Sequence, residues 1–194
     1  MRIGLLGGSF NPAHAGHRHI SLMALRRLRL DRVWWLVTPG NPLKSHADLA
    51  GHGARLKTAR RLAAHPRIAV TGFEAETGLV YTVETVAYLL SRAPRARFVW
   101  LMGADSFAGL HRWRRWREIV GSMPIAVIDR PGYRLKAMAS SAGHALARFR
   151  IDEADAALLP SLKPPAWAFL TLPLSALSST DIRAKSALRK GKRT

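Results

Sequence analysis

The stretch "GLLGGSFNPAHAGH", residues 4–17, joins a short apolar run to a predicted helix start. The apolar run predicts a strand ending at Gly7 and Gly8, where the missing side chains let a ligand approach backbone N–H groups. The predicted helix begins with His14 and His17, although a helix N-terminus usually carries acidic residues. Because such a start becomes favourable when an anion binds there, the stretch predicts a phosphate site.

Two other interpretations of these histidines stay open on the local pattern alone. The H-x-x-H-x-H spacing could serve a metal ion, but no carboxylate nearby completes a site and Gly16 is a poor helical scaffold. The histidines could also be ordinary surface residues. We expect no metal ion held by the protein itself. In every case the three-residue spacing places His14 and His17 on one helix face.

Short apolar runs recur along the chain at intervals too long for hairpins. They are apolar on successive residues, which predicts strands covered on both faces, as in a parallel sheet. Helical patterns lie between them over residues 16–30, 81–91 and 140–149. We therefore expect an α/β fold with a mainly parallel sheet in a single domain, residues 1–194. The predicted strands are 2–7, 33–38, 67–72, 98–103, 125–129 and 168–172.

The charge balance is strongly basic, with 31 Lys and Arg against 12 Asp and Glu and a net charge of +19. Such a field attracts polyanions, so a basic nucleic-acid-binding module is the alternative from another functional class. The basic residues are spread along the chain without a nucleic-acid-reading motif, which indicates compositional bias. The sequence has no cysteine, no apolar run that could span a bilayer and no signal-peptide pattern. We expect a cytoplasmic protein that does not bind membranes, and a homo-oligomer is left open.

A second anion-site pattern, "LSSTDIR", occupies residues 177–183. Ser178 and Ser179 are helix-capping residues that can donate hydroxyl groups, and Arg183 falls in the first turn of the predicted helix. Asp181 could simply pair with Arg183. Two helix starts that each carry a cation predict a polyphosphate held between the two ends of the chain.

These motifs resemble those of a known family. "GGSFNPAHAGH" resembles the G-G-T/S-F-D/N-P-x-H-x-G-H motif of nucleotidyltransferases with a Rossmann-like core, and "LSSTDIR" is similar to their I-S-S/A-T-x-I-R motif. Further blocks match in order: "YTVET" (81–85), "MGADSF" (102–107), "WRRW" (113–116) and "RPGY" (130–133). Together the blocks resemble the bacterial nicotinate-nucleotide adenylyltransferases. The resemblance implies a Rossmann-like, doubly wound sheet that transfers the adenylyl group of ATP, with Mg²⁺ on the triphosphate, to nicotinate mononucleotide.

The resemblance also implies roles for particular residues. The expected catalytic residues, which also bind the ATP phosphates, are His14, His17 and Arg183. The rest of the expected ATP site is Gly7, Gly8, Ser9, Phe10, Gly103, Asp105, Ser178 and Ser179. The mononucleotide is expected to contact Asn41, Lys44, Thr82, Thr85, Trp113 and Arg130. Plainer roles stay open for Asp105, as a helix N-cap, and for Trp113, as a core residue.

Two alternative reactions lie within the same fold. An adenylyltransferase for nicotinamide mononucleotide would differ only in taking an amide in place of a carboxylate. Pantetheine-phosphate adenylyltransferases share the first and last motifs but lack the "YTVET" and Trp113 blocks. The sequence "TPGNPLKSH" is shorter than the proline-rich loop of the resembling family, and no histidine precedes Lys44.

Overall fold

A parallel sheet organises the chain, and the computed structural model describes residues 1–40 and 49–171 of it. The strands in these residues are β1 (Arg2–Gly8), β2 (Arg32–Val37), β3 (Ile68–Thr71), β4 (Arg97–Gly103), β5 (Ile125–Ile128), β6 (Arg150–Ile151) and β7 (Trp167–Leu170). All pair in parallel, in the order β3-β2-β1-β4-β5-β7-β6. The predicted mainly parallel α/β sheet is confirmed. The described part of the predicted last strand ends at Leu170.

Helices connect successive strands and cover both faces of the sheet. They are α1 (Ala15–Arg27), α2 (His52–Ala63), α3 (Phe73–Thr77), α4 (Thr82–Arg92), α5 (Ala104–Ala108), α6 (Trp116–Ser122), α7 (Arg134–Met138) and α8 (Ser141–Ala145). Short 3₁₀ segments span Leu110–Arg112, Ala147–Phe149 and Glu153–Ser161. None of the helices in the described part of the chain is long and apolar enough to cross a membrane.

The apolar runs of the strands fill a core on each face of the sheet. Neighbouring residues of β1 belong to different cores: Leu5 packs with Trp100 and Phe107, whereas Leu6 packs with Val99 and Leu101. Because successive side chains of a strand point to opposite faces, a run that is apolar at every residue fits only a sheet covered on both sides. This burial explains why the strands could be predicted from continuous apolar runs.

The prediction of a single helix over residues 140–149 is wrong. The α-helix ends at Ala145, and a 3₁₀ turn follows over Ala147–Phe149. The indole N–H of Trp167 donates to the Leu146 carbonyl at 2.8 Å, and Arg150 already pairs with Trp167 in the sheet. The Leu146 carbonyl also accepts the Phe149 N–H at 2.9 Å, which is the bond of a 3₁₀ turn, and the chain then enters β6.

The strand order reverses between β1 and β4. The chain builds β2 and β3 on one side of β1, then crosses to β4 and builds β5 and β7 on the other side. The carboxyl ends of β1 and β4 are adjacent, with Leu6 opposite Leu101. Ligands of open α/β sheets bind in the crevice at such a reversal, so the fold places a candidate site just beyond Gly8 and Gly103.

Candidate active site

The glycine–histidine stretch leads from the end of β1 into α1. A Cβ on Gly7 would lie 3.0 Å from the Trp100 indole, so a larger residue at this strand end would require the indole to shift. His14 is the N-cap of α1, and no acidic residue occurs in the first turn of the helix. The α1 N-terminus, with its partial positive charge, therefore lies at the switch point, where the sequence predicted a helix start.

His14 and His17 lie together at this helix start. Their ring centroids are 3.9 Å apart, and the His14 backbone N–H donates to Nδ1 of His17 at 3.2 Å. A backbone N–H can only donate, so Nδ1 of His17 is the unprotonated nitrogen and Nε2 carries the ring proton. His14 is 7% exposed, and its Nδ1 is buried without a hydrogen-bond partner in the described structure.

Burial keeps both imidazoles neutral. It lowers the pKa of His17 from 6.5 to about 3, with further contributions from the charges of His14 and Arg130. Burial is also the main cause that lowers the pKa of His14, and Arg130 adds to it. Neutral imidazoles can still donate from one ring nitrogen, so the pair can hydrogen-bond to phosphate oxygens in the uncharged state.

Aromatic packing fixes the position of His17. The Phe10 ring lies 4.6 Å from the His17 ring and stacks on Trp35 at 5.1 Å. Trp35 donates its indole N–H to Ser21 Oγ at 2.7 Å, and the Ser21 hydroxyl donates to the His17 carbonyl at 2.8 Å. Phe10 is only 1% exposed and has a left-handed φ of 47°. Its side chain thus supports His17 from inside the protein, and any contact of Phe10 with ATP would be through its backbone.

Asp105 and Arg130 form an ion pair across the ends of β4 and β5. Arg130 Nη1 lies 2.7 Å from Asp105 Oδ2. The N-cap of α5 is Gly103, not Asp105, so the helix-cap interpretation of Asp105 is wrong. A side chain at Gly103 would collide with the Asp105 carboxylate. Arg130, which was predicted to bind the mononucleotide, is brought to Asp105, a residue predicted to bind ATP.

The predicted acceptor residues begin at α4. Thr82 is half-buried and opens the helix, whereas Thr85 is fully buried and donates its hydroxyl to Glu74 Oε1 at 2.5 Å. Glu74 is itself buried, and burial raises the pKa of its carboxyl. Thr85 is therefore engaged inside the protein and does not present its hydroxyl to the surface, contrary to the sequence-based expectation.

Trp113 lies beside this segment. It is half-buried and meets the Trp100 indole edge-to-face at a centroid distance of 6.3 Å. The guanidinium of the neighbouring Arg114 lies over the Tyr81 ring at 4.5 Å, next to Thr82. One edge of Trp113 thus packs on the core and part of it is accessible, so packing and ring stacking are compatible.

The remaining predicted residues are Asn41, Lys44, Ser178, Ser179 and Arg183, and they lie outside the described residues. Among the residues that are described, no group of three or more His, Asp or Glu side chains could hold a metal ion. One residue that the sequence analysis missed is Arg55, a buried arginine beneath the site. The stretch around it is basic and lacks an apolar stripe, which is why α2 was not predicted.

A parallel sheet with a helix start at its switch point is typical of nucleotide-binding proteins. A family model described as Cytidylyltransferase-like matches residues 5–185, and the chain belongs to that family. A protein of Methylorubrum extorquens named "Probable nicotinate-nucleotide adenylyltransferase" is 62% identical over 95% of this chain and 100% of its own length. A protein of the same name from Agrobacterium fabrum is 51% identical over 94% of this chain and 98% of its own length. Within its class, the chain is a member of the nicotinate-nucleotide adenylyltransferase family.

A solved structure supports the fold assignment. Plasmodium falciparum nicotinic acid mononucleotide adenylyltransferase complexed with NaAD superposes with a TM-score of 0.70 at 16% identity. The match covers 94% of this chain and 82% of that chain. At this identity the similarity concerns the fold alone. It supports the Rossmann-like α/β arrangement of the seven described strands.

Proposed function

We propose that the protein transfers the adenylyl group of ATP to nicotinate mononucleotide, giving nicotinate adenine dinucleotide and pyrophosphate. The observation that carries this proposal is the pair of neutral histidines at the open N-terminus of α1, beside the switch point. Family membership and the full-length relatives named as nicotinate-nucleotide adenylyltransferases support the same reaction.

The chemistry needs no general base. An oxygen of the mononucleotide phosphate, already an anion, forms a bond to the α-phosphorus of ATP. The bond from that phosphorus to the oxygen bridging to the β-phosphate breaks, and pyrophosphate leaves with the electron pair. The task of the protein is to align the two phosphates and to stabilise the charge that builds up between them.

The described residues fit that task. The Nε2–H of His17 and the first backbone N–H groups of α1 are donors for the oxygens of the triphosphate. Arg130 supplies a positive charge close to both histidines, and Asp105 holds it by an ion pair. We propose that Asp105 also meets the ribose of ATP. Arg183, with Ser178 and Ser179, is proposed to approach the phosphates from the opposite side.

Magnesium is proposed to enter as part of the ATP complex. The side chains at the start of α1 are imidazoles, whereas Mg²⁺ prefers oxygen ligands and retains several waters. The described donor set therefore suits phosphate oxygens rather than a metal ion held by the protein. Mg²⁺ on the triphosphate would neutralise charge on the leaving pyrophosphate.

The acceptor side is proposed to bind the mononucleotide between α4 and the Trp113 segment. The accessible part of Trp113 offers a flat surface for the pyridine ring. Thr82, Asn41 and Lys44 are proposed to contact the mononucleotide as well. We further propose a cytoplasmic location, in keeping with the absence of cysteine from the sequence.

The test is pyrophosphate release by the purified protein with ATP and Mg²⁺. Nicotinate mononucleotide, nicotinamide mononucleotide and phosphopantetheine are compared as acceptors, with the H17A variant as the inactive control. Turnover with nicotinate mononucleotide alone is expected. Preferential turnover with either other acceptor would replace the proposed substrate. No turnover with any of them, together with tight and steeply salt-dependent binding to DNA, would favour the nucleic-acid-binding alternative.

A further inference from the structure

Arg55 is a buried cation whose hydrogen-bond partners among the described residues are all backbone carbonyls. It lies in the second turn of α2 and is 2% exposed. It makes no ion pair with an acidic side chain in the described part of the chain. Burial without a carboxylate lowers its pKa, and it carries the cost of removing a charge from water. Within the described residues, the charge of Arg55 is balanced by the dipoles of backbone carbonyls.

Carbonyls from separate loops supply those dipoles. Arg55 Nη1 donates to the Ser9 carbonyl at 2.6 Å and to the Thr38 carbonyl at 2.8 Å. Nη2 donates to the Pro39 carbonyl and Nε to the Ala50 carbonyl, each at 2.8 Å. Every nitrogen of the planar guanidinium is used, in a fork that an ammonium group cannot reproduce.

The loops joined in this way border the candidate active site. Ser9 follows the glycines at the end of β1, whereas Thr38 and Pro39 follow the end of β2. Ala50 precedes α2, and its N–H donates to Asn11 Oδ1 at 3.2 Å, which adds a second tie to the stretch after β1. Arg55 thus connects the carboxyl ends of two neighbouring strands with the start of the helix that follows them.

Phe10 links the Ser9 carbonyl, which Arg55 holds, to His17. Ser9 is bonded to Phe10, whose ring packs against the His17 imidazole at 4.6 Å. Phe10 is held in a left-handed conformation that a phenylalanine adopts only under constraint. Fixing the Ser9 carbonyl therefore fixes the turn that places Phe10 against His17.

We propose that Arg55 is a positioning residue for the adenylyl transfer: its guanidinium fork sets the loops after β1 and β2, and thereby the placement of His17. The assignment of a rate effect rests on the proposed function, whereas the loop placement does not. The role belongs to the shape of the guanidinium and not to its charge alone. Arg55 touches no substrate in this scheme and acts through Ser9 and Phe10.

The variants R55K and R55M separate shape from charge. R55K keeps a cation but loses the fork, and R55M removes both while filling most of the volume. R60K and R60M are the matched controls, because Arg60 is exposed on the same helix. A displacement of about 1 Å in reacting groups lowers rates by roughly a hundredfold, so we expect kcat to fall by that order in both Arg55 variants. The KM values should change far less, and the Arg60 variants should stay within about twofold of wild type.

Amide hydrogen exchange resolved by residue tests the loop placement without any substrate. The reporters are the amides of His14, Thr38 and Ala50, which are hydrogen-bonded next to the fork. The Trp100 amide, bonded to the Pro124 carbonyl within the sheet, is the internal reference. Both Arg55 variants should exchange faster at the reporters and at the wild-type rate at Trp100.

The outcomes divide cleanly between the two proposals. Wild-type exchange and wild-type kcat in R55K would overturn the positioning role, because the charge alone would then suffice. Loss of protection at Trp100 together with the reporters in R55K would also overturn it, by making Arg55 a general stability residue. If R55M does not fold, the kcat and the amide exchange of R55K decide whether Arg55 has the positioning role. If wild-type protein shows no turnover with nicotinate mononucleotide, the proposed function fails while the exchange data still judge the loop placement.

Discussion

Replacing His17 with asparagine should remove an acid-sensitive part of the free energy of unfolding. The imidazole has a pKa of about 3 in the folded protein against 6.5 for the free side chain. Between those values the unfolded chain binds a proton at this residue that the folded chain does not bind. The free energy of unfolding therefore falls as the pH falls through this window and is fully present above it. Asparagine cannot titrate, and its Oδ1 can still accept the His14 backbone N–H.

The magnitude follows from the two pKa values. From pH 7 to pH 5, His17 should account for a loss of about 2 kcal/mol, because the unfolded side chain becomes protonated while the folded one does not. This figure changes little as long as the folded pKa stays below about 4. His14, whose pKa is also lowered, is present in both proteins.

Urea unfolding followed by tryptophan fluorescence, at pH 7 and pH 5, measures this difference in wild type and H17N. Wild type should lose about 2 kcal/mol more than H17N over the interval. Equal losses in the two proteins would refute the reasoning. They would mean that the folded protein protonates His17 as readily as the unfolded chain, and that a neutral Nε2–H donor at the helix start is the wrong description.

Other substitutions test individual contacts. T85V should leave the buried Glu74 carboxyl without its donor and lower the free energy of unfolding by about 1–3 kcal/mol; urea unfolding would measure this, and an unchanged value would contradict an internal role for Thr85. R130M should raise the pKa of His17, because it removes a repelling charge, and should raise the KM for ATP more than the KM for the mononucleotide; the reverse order in steady-state kinetics would return Arg130 to the acceptor side. W113A should raise the KM for the mononucleotide far more than that for ATP, and an equal rise in both would make Trp113 a packing residue only. H17Q, whose amide nitrogen can approach the position of Nε2, should retain more turnover than H17N, and equal rates would argue against donation from Nε2.

The strands could be predicted because a strand that is buried on both faces is apolar at nearly every residue. Continuous apolar runs of strand length, such as that of β4, are typical of strands that are buried on both faces. The strand end and the helix start that follow each other at β1 and α1 could be predicted as well, since glycines and histidines replace the residues that such positions usually carry. Both features are local, so a short window of sequence contains them.

The parts that escaped prediction depend on partners far away in sequence. Arg55 occupies the buried face of α2, where an apolar residue is the usual choice, because distant carbonyls surround it. Thr85 belongs to the "YTVET" block, but its hydroxyl points inward and donates to Glu74. The helix expected over residues 140–149 gives way after Ala145 to a 3₁₀ turn, where the Leu146 carbonyl accepts both the Phe149 N–H and the Trp167 indole N–H. In each case the observed arrangement includes a tertiary hydrogen bond, and its partner could not be identified from the local sequence pattern.

The central claim is that the mononucleotide phosphate attacks the α-phosphorus of ATP. Nicotinate mononucleotide labelled with ¹⁸O in its phosphate, incubated with ATP, Mg²⁺ and the protein, tests it by mass spectrometry of the products. All of the label is expected in nicotinate adenine dinucleotide, and the pyrophosphate is expected to be unlabelled. Labelled pyrophosphate, or pyrophosphate formed without any dinucleotide, would contradict it.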